Sequence, residues 1–198
     1  MTTPATRHSL GDQFDSILVA AQDGGEWAVA LLYRSLHPAV LSYLRARAGQ
    51  EGEDLASETW LDVARGLRSF SGSEGAFRSW VFTIAHRRLI DHHRAAGRRP
   101  RTDRMAQADP AAVEFDVAGR DDPAAEAVAA VAGAEAVRRI VALLSPDQAE
   151  VVLLRVLAGL PVEDVARITG RRPGTVRVLQ HRALRRLAER LDDSAGEL

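Results

Sequence analysis

The chain has no cysteine among its 198 residues. That excludes a disulfide framework, a thiolate zinc site, a nucleophilic cysteine and a built-in thiol redox sensor. Lysine is missing as well, so all 26 basic residues are arginine. A G+C-rich genome would produce the same bias, so arginine use by itself carries no function. No apolar run approaches the roughly 18 residues of a membrane span, and the polar N-terminus lacks the apolar centre of a signal peptide. The expectation is a soluble, cytoplasmic protein with no membrane insertion. Strict apolar–polar alternation is also lacking, so no sheet is expected. What is present is a 46% hydrophobic complement, enough to bury a core and to argue against global disorder.

The net charge of −1 conceals a strong segregation. From Arg65 to Arg104 there are ten arginines against three acids, Glu74, Asp91 and Asp103. From Arg167 to Leu191 there are eight arginines against one acid, Glu189. Between them, Met105 to Val137 carries seven acids and one arginine. Two anion-seeking modules are thus joined by a segment that repels anions.

The periodicity is helical nearly throughout. Trp27, Ala30, Leu31, Arg34, Leu41 and Leu44 fit a helix from about Glu26 to Arg47, interrupted or bent near His37-Pro38. A second helix is expected from about Glu53 to Leu67, with Leu55, Thr59 and Val63 at helical spacing and acids in its first turn. After the Gly/Ser loop from Ser69, a third runs from about Ala76 to Ala95 behind an apolar stripe of Phe77, Trp80, Val81, Ile84 and Leu89. The stretch from Ala95 to Pro123, rich in charge and broken by Pro100, Pro110, Gly97 and Gly119, predicts a flexible linker. An Ala-rich helix follows to Leu144. Ser145-Pro146-Asp147-Gln148 then signals a new helix: serine as N-cap, proline at the first helical position, glutamine three after the cap. That helix should stop at Gly159.

The segment Pro161 to Leu191, "PVEDVARITGRRPGTVRVLQHRALRRLAERL", fits a helix-turn-helix spanning about 162–181. Val162, Val165 and Ala166 form the inner face of a short helix, and Gly170 supplies the left-handed turn residue. A second helix begins at Pro173, with Val176, Leu179, Ala183, Leu187 and Leu191 inward. Arg172, Thr175, Arg177, His181, Arg182, Arg185 and Arg186 mostly face out. Such a helix can enter a major groove, its early side chains at base edges and its arginines on phosphate. An amphipathic pair with merely solvated arginines would lack the agreement of Ala-x-x-x-Gly spacing, turn length and charge sign.

Two upstream stretches carry different chemistry. "EDLASETWLDVARGLRSF", Glu53 to Phe70, is acidic and apolar, suited to a protein partner rather than to DNA. "FRSWVFTIAHRRLIDHHR", Phe77 to Arg94, sets aromatics before a basic helix, a combination suited to single-stranded nucleic acid; the alternative for Phe77, Trp80 and Phe82 is plain core packing. These stretches resemble, respectively, the core-binding segment and the −10-reading, promoter-melting helix of a bacterial RNA polymerase sigma factor. The family is sigma-70, extracytoplasmic-function (ECF) group. Residues Leu144 to Leu187 resemble its −35-reading domain.

The resemblance implies an all-α protein of two small helical domains: 13–98 for core binding and −10 melting, and 123–191 for −35 recognition, joined by an acidic linker at 99–122. It implies core RNA polymerase and promoter DNA as partners, an anti-sigma factor as a third, no cofactor and no catalytic residues. Asp54, Leu55, Glu58, Trp60 and Leu61 would dock on polymerase. Phe77, Trp80, Arg87, Arg88, His92 and Arg94 would meet the −10 region, with a flipped base held by the loop from Ser69 to Gly75. Arg171, Arg172, Thr175, Arg177, His181, Arg182 and Arg185 would meet the −35 element. The chain departs from the family where Val178-Leu179-Gln180 follows Arg177, placing Leu179 where an arginine is usual, and where Arg172 replaces a small polar residue. No appended C-terminal sensory domain is expected.

Asp91-His92-His93 spells a signature of metal-dependent phosphoesterases. Those place the triplet at a strand end of an α/β fold with further acidic ligands. Here it lies inside a helix among Arg87, Arg88 and Arg94, and the expectation is coincidence with no metal. A stand-alone helix-turn-helix regulator is the alternative function; it leaves Glu53 to Phe70 without a purpose.

Overall fold

The computed structural model describes residues 10–98 and 137–195. The expected linker at 99–122, and the Ala-rich helix up to residue 136, lie outside them. Among the described residues every regular element is helical. In the N-terminal unit, α1 (Phe14–Gln22) buries Phe14, Ile17, Leu18 and Ala21, an i, i+3, i+4, i+7 stripe. Helix α2 (Glu26–Ala48) continues through Pro38 as one element. The expected interruption is absent because the packing of its flanking turns outweighs one missing backbone hydrogen bond. Its buried stripe is Ala28, Leu32, Leu36, Val40, Tyr43 and Leu44. This register leaves Trp27 outside the core, 59% exposed.

Helix α3 (Gly52–Gly66) buries Leu55, Ala56, Thr59 and Val63, and the Thr59 hydroxyl donates to the Leu55 carbonyl at 2.7 Å. A side chain at Gly52 would place its Cβ 2.6 Å from the Arg45 amide nitrogen, so α3 begins in direct contact with the α2 backbone. Helix α4 (Glu74–Arg98) starts two residues before the expected Ala76 and continues past Ala95. Phe77, Val81, Phe82, Ala85 and Leu89 sink into the core formed by the other three helices. Gln22 fastens the end of α3 to α1, its amide donating to the carbonyls of Leu67 at 3.0 Å and Phe70 at 2.7 Å.

The C-terminal unit opens with α5, described over 137–142. Ser145 then caps α6 (Pro146–Val152) with both halves of a capping box: its hydroxyl accepts from the Gln148 amide at 3.3 Å, and the Gln148 side chain accepts from the Ser145 amide at 3.1 Å. Such a cap contributes about 1 kcal/mol. The chain continues as a π turn over Leu153–Leu157 before stopping at Gly159, whose φ of 67° is left-handed. Helix α7 (Val162–Thr169) ends at Gly170, also at φ 67°, and α8 (Pro173–Ala195) packs back across it. Val165, Ala166, Val176 and Ala183 are buried where α7 and α8 meet α6. The two units also touch: α4 meets α7, and α2 meets the π turn.

Candidate polymerase and nucleic-acid interface

Three surfaces of differing chemistry emerge. The first lies on α3 and α2. Asp54 is exposed, and Leu61 is 57% exposed with no core to bury it. Trp60 is half-buried and donates its indole N–H to His37 Nδ1 at 3.1 Å. Tyr33 stacks on that imidazole with centroids 4.4 Å apart and rests against Trp60 at 4.8 Å. Burial, then the charge of Arg45, holds the His37 pKa below the usual imidazole value, which keeps Nδ1 free as an acceptor. Sequence reasoning missed Val29 and Tyr33, which extend this face onto α2; both stand off the buried stripe, and that was the available signal. Leu55 departs from expectation: it is 6% exposed and belongs to the core, where its side chain cannot dock on a partner.

The second surface is α4. Phe77 is 1% exposed and wedged among Phe14, Phe70 and Trp80, so it supports the site without offering a ring face to a base. Trp80 is half-buried, stacks on Phe70 at 5.0 Å, and lies so close to α3 that a Cβ on Gly66 would stand 2.7 Å from its ring. The loop between α3 and α4 holds Gly72 at φ 145°, a conformation that favours glycine. Arg87 is exposed, and Arg94 is exposed with its guanidinium 3.7 Å from Asp91. His92 is half-buried, its ring 5.6 Å from that of His93.

Arg88 behaves differently. It is fixed to α3 by Asp62, Nε–Oδ2 at 2.8 Å, and by Glu58 at 3.2 Å. The Arg88 hydrogen bond holds the Asp62 carboxyl below the usual carboxylate range despite some burial. Asp62 was missed because its partner lies 26 positions away, a separation no helical period connects. Asp91 is drawn to Arg87 and Arg94 on its own helix, and among the described residues no three His, Cys, Asp or Glu side chains converge as a metal would need.

The third surface is the outer face of α8. Arg172, Thr175, Arg177, His181, Arg182 and Arg185 are all exposed. Arg177 contacts Glu163 on α7 at 3.2 Å, and Arg185 bonds Glu189 one turn on at 2.8 Å. Arg182, Arg185, Arg186, Glu189 and Arg190 line an open concavity of about 400 Å³. Arg171 is set apart from these: only partly exposed, it reaches back to Asp147 on α6 at 2.6 Å. It braces the turn between α7 and α8 instead of projecting from it.

Comparison with known proteins agrees with this layout. Residues 32–99 match the Sigma-70 region 2 family and residues 134–187 match Sigma-70, region 4. The ECF RNA polymerase sigma factor SigD of Mycobacterium tuberculosis is 30% identical over 91% of this chain and 85% of its own length. The ECF RNA polymerase sigma factor BldN of Streptomyces coelicolor is 35% identical over 88% of this chain, which spans 64% of that longer protein. Among solved structures, RpoE of Bartonella quintana, determined with the anti-sigma factor NepR, shares the fold with a TM-score of 0.61 and 24% identity, covering 81% of this chain and 94% of its own. With an acidic-apolar face, a basic helix and a helix-turn-helix in this order, the chain belongs to the sigma-70 family, in its ECF group. It is a sigma factor, which directs promoter-specific initiation of transcription.

Proposed function

We propose that the Glu53-to-Leu61 face of α3, with Tyr33 and His37 of α2, docks on core RNA polymerase, that α4 with the loop before it captures and melts the −10 region, and that the start of α8 reads the −35 element. The observation that carries this is Leu61, a large apolar side chain 57% exposed on an acidic helix. Neither its apolarity nor the carboxylates beside it has a use on DNA. Trp80, braced by Phe70, offers stacking area next to arginines, the pairing that holds unstacked bases. Flipping a base into the loop costs a few kcal/mol of unstacking, which contacts to the captured base offset. The chain works in the cytoplasm and performs no catalytic step, the polymerase supplying the chemistry. A separate anti-sigma protein covers these faces until the inducing signal arrives.

The test is run-off transcription with core polymerase alongside co-purification. Leu61→Arg, at a position with no core role, should abolish retention of the protein on core while leaving its helical circular dichroism unchanged. Undiminished retention would overturn the docking assignment. Tight, specific duplex binding by the isolated chain, with no transcription from core, would favour a stand-alone helix-turn-helix regulator.

A further inference from the structure

Within the loop assigned to the −10 base, Phe70 to Ser73 lie between helices, after the 3-10 turn Leu67–Ser69 and before α4. Ser71, Gly72 and Ser73 are exposed, and Gly72 stands at φ 145°. Left to itself, a glycine-containing stretch of this kind samples many conformations. Both of its ends, however, are tied to one neighbour, and that neighbour is neither α3 nor α4. At the leading end, the Gln22 amide closing α1 donates to the carbonyls of Leu67 at 3.0 Å and Phe70 at 2.7 Å. At the trailing end, the Glu74 carboxylate accepts the backbone N–H of Leu10 at Oε1 and of Gly11 at Oε2, each at 3.1 Å. Those amides open the helical turn Gly11–Gln13 that leads into α1, so the carboxylate meets the amino-terminal ends of two helices at once. Between the two anchors, Phe14 of α1 lies 5.8 Å from Phe77, and Phe77 lies 5.4 Å from Phe70.

We propose that residues 10–22 form a splint for the −10 loop, with Gln22 and Glu74 as positioning residues that hold Phe70 to Ser73 in the shape that selects a base. This deepens the function proposed above and rests on the loop's assignment to the −10 region. Choice between bases requires polar groups held to within about 0.5 Å, because the wrong base is rejected through hydrogen bonds left unmade. A loop that drifts re-forms around whichever base arrives. Stacking has no such requirement: the rings of Trp80 and Phe70 accept every base and supply affinity without choice. The splint therefore governs which base is taken. It also lies ahead of residues 32–99, the stretch that matches Sigma-70 region 2. Base selection at −10 thus depends on side-chain contacts that reach 45 to 64 positions along the chain.

The test uses holoenzyme made from the full chain and core polymerase. It is mixed with randomised single-stranded DNA and the retained strands are sequenced, with core alone as background. The parent should show a base preference at the captured position. Gln22→Leu and Glu74→Ala should each flatten that preference about tenfold, the order expected for one lost hydrogen bond. Glu74→Gln keeps one acceptor oxygen and should fall between. Helical circular dichroism and retention on core should not change, while amide hydrogen exchange at Ser71, Gly72 and Ser73 should quicken in the free variants.

Gly72→Val deforms the loop directly, because its Cβ would stand 3.0 Å from that of Ala76 at a φ that valine avoids. If the parent shows no preference, or Gly72→Val leaves it intact, the loop's −10 assignment falls and the splint with it. If Gly72→Val flattens the preference while Gln22→Leu and Glu74→Ala only lower the melting temperature, the splint alone is overturned.

Discussion

Arg88 is held by two acids of α3, and the geometry makes its role separable from that of its neighbours. Arg88→Ala should remove the main cause of the lowered Asp62 pKa. A carbon-detected NMR titration would then show the Asp62 carboxyl returning towards the ordinary aspartate value. The same variant should reduce permanganate-reactive thymines in the open complex and be rescued by a pre-melted template; lost −35 binding would be the wrong defect. His37 makes a pH prediction. Its folded pKa is depressed, so the neutral ring is the form the fold prefers. The stability it contributes is present above the ordinary imidazole value of about 6.5 and is lost as pH falls through the folded pKa. Protonation of Nδ1 also removes the acceptor for Trp60. Tryptophan emission should therefore change as pH drops below about 6.5, and His37→Gln should abolish that step.

At the scale of elements, α8 combines base reading with phosphate contact, and the two produce different defects. Arg177 projects from its second turn and must exchange Glu163 for DNA. If it reads a base, Arg177→Ala should cost about 1–3 kcal/mol and relax preference at one −35 position. Arg182 has no ion pair among the described residues, and on phosphate its loss should weaken binding at every promoter and reduce the salt slope by about one unit. Competition binding of holoenzyme to a set of −35 variants, across a salt series, separates the two outcomes. The helix-turn-helix itself was readable because its determinants are local: Gly170 at the turn, Pro173 at the helix start, Ser145 and Gln148 at the upstream cap. The α2 stripe was less so. Apolar residues surround that helix, and only contact with α1, α3 and α4 chose Ala28, Leu32 and Leu36 over Trp27 and Leu31.

For the whole molecule, the seam where Ser79 and His86 of α4 meet Asp164 and Glu150 of the C-terminal unit bears on how the chain unfolds. All three tryptophans, Trp27, Trp60 and Trp80, lie in the N-terminal unit. Fluorescence therefore follows that unit alone, while far-ultraviolet circular dichroism follows both. If the seam couples the units, denaturant curves from the two signals coincide for the parent chain, and Ser79→Ala with His86→Ala should pull them apart. Curves already separate in the parent would mean that the seam transmits no stability.

By itself the sequence determined the helical class, the cap and turn positions, the order of basic, acidic and basic segments, and the outward arginines of α8. Each follows from interactions within a few residues or from composition, and these survive whatever the chain does at long range. The tertiary structure alone decided that Phe77 and Leu55 are core, that Arg171 braces a turn, that Arg88 is bound to Asp62, and that Ser79 and His86 face Asp164 and Glu150. Those choices depend on pairs 24 to 85 positions apart, and helical periodicity gives a side chain's angle around its own axis without saying which neighbour stands opposite.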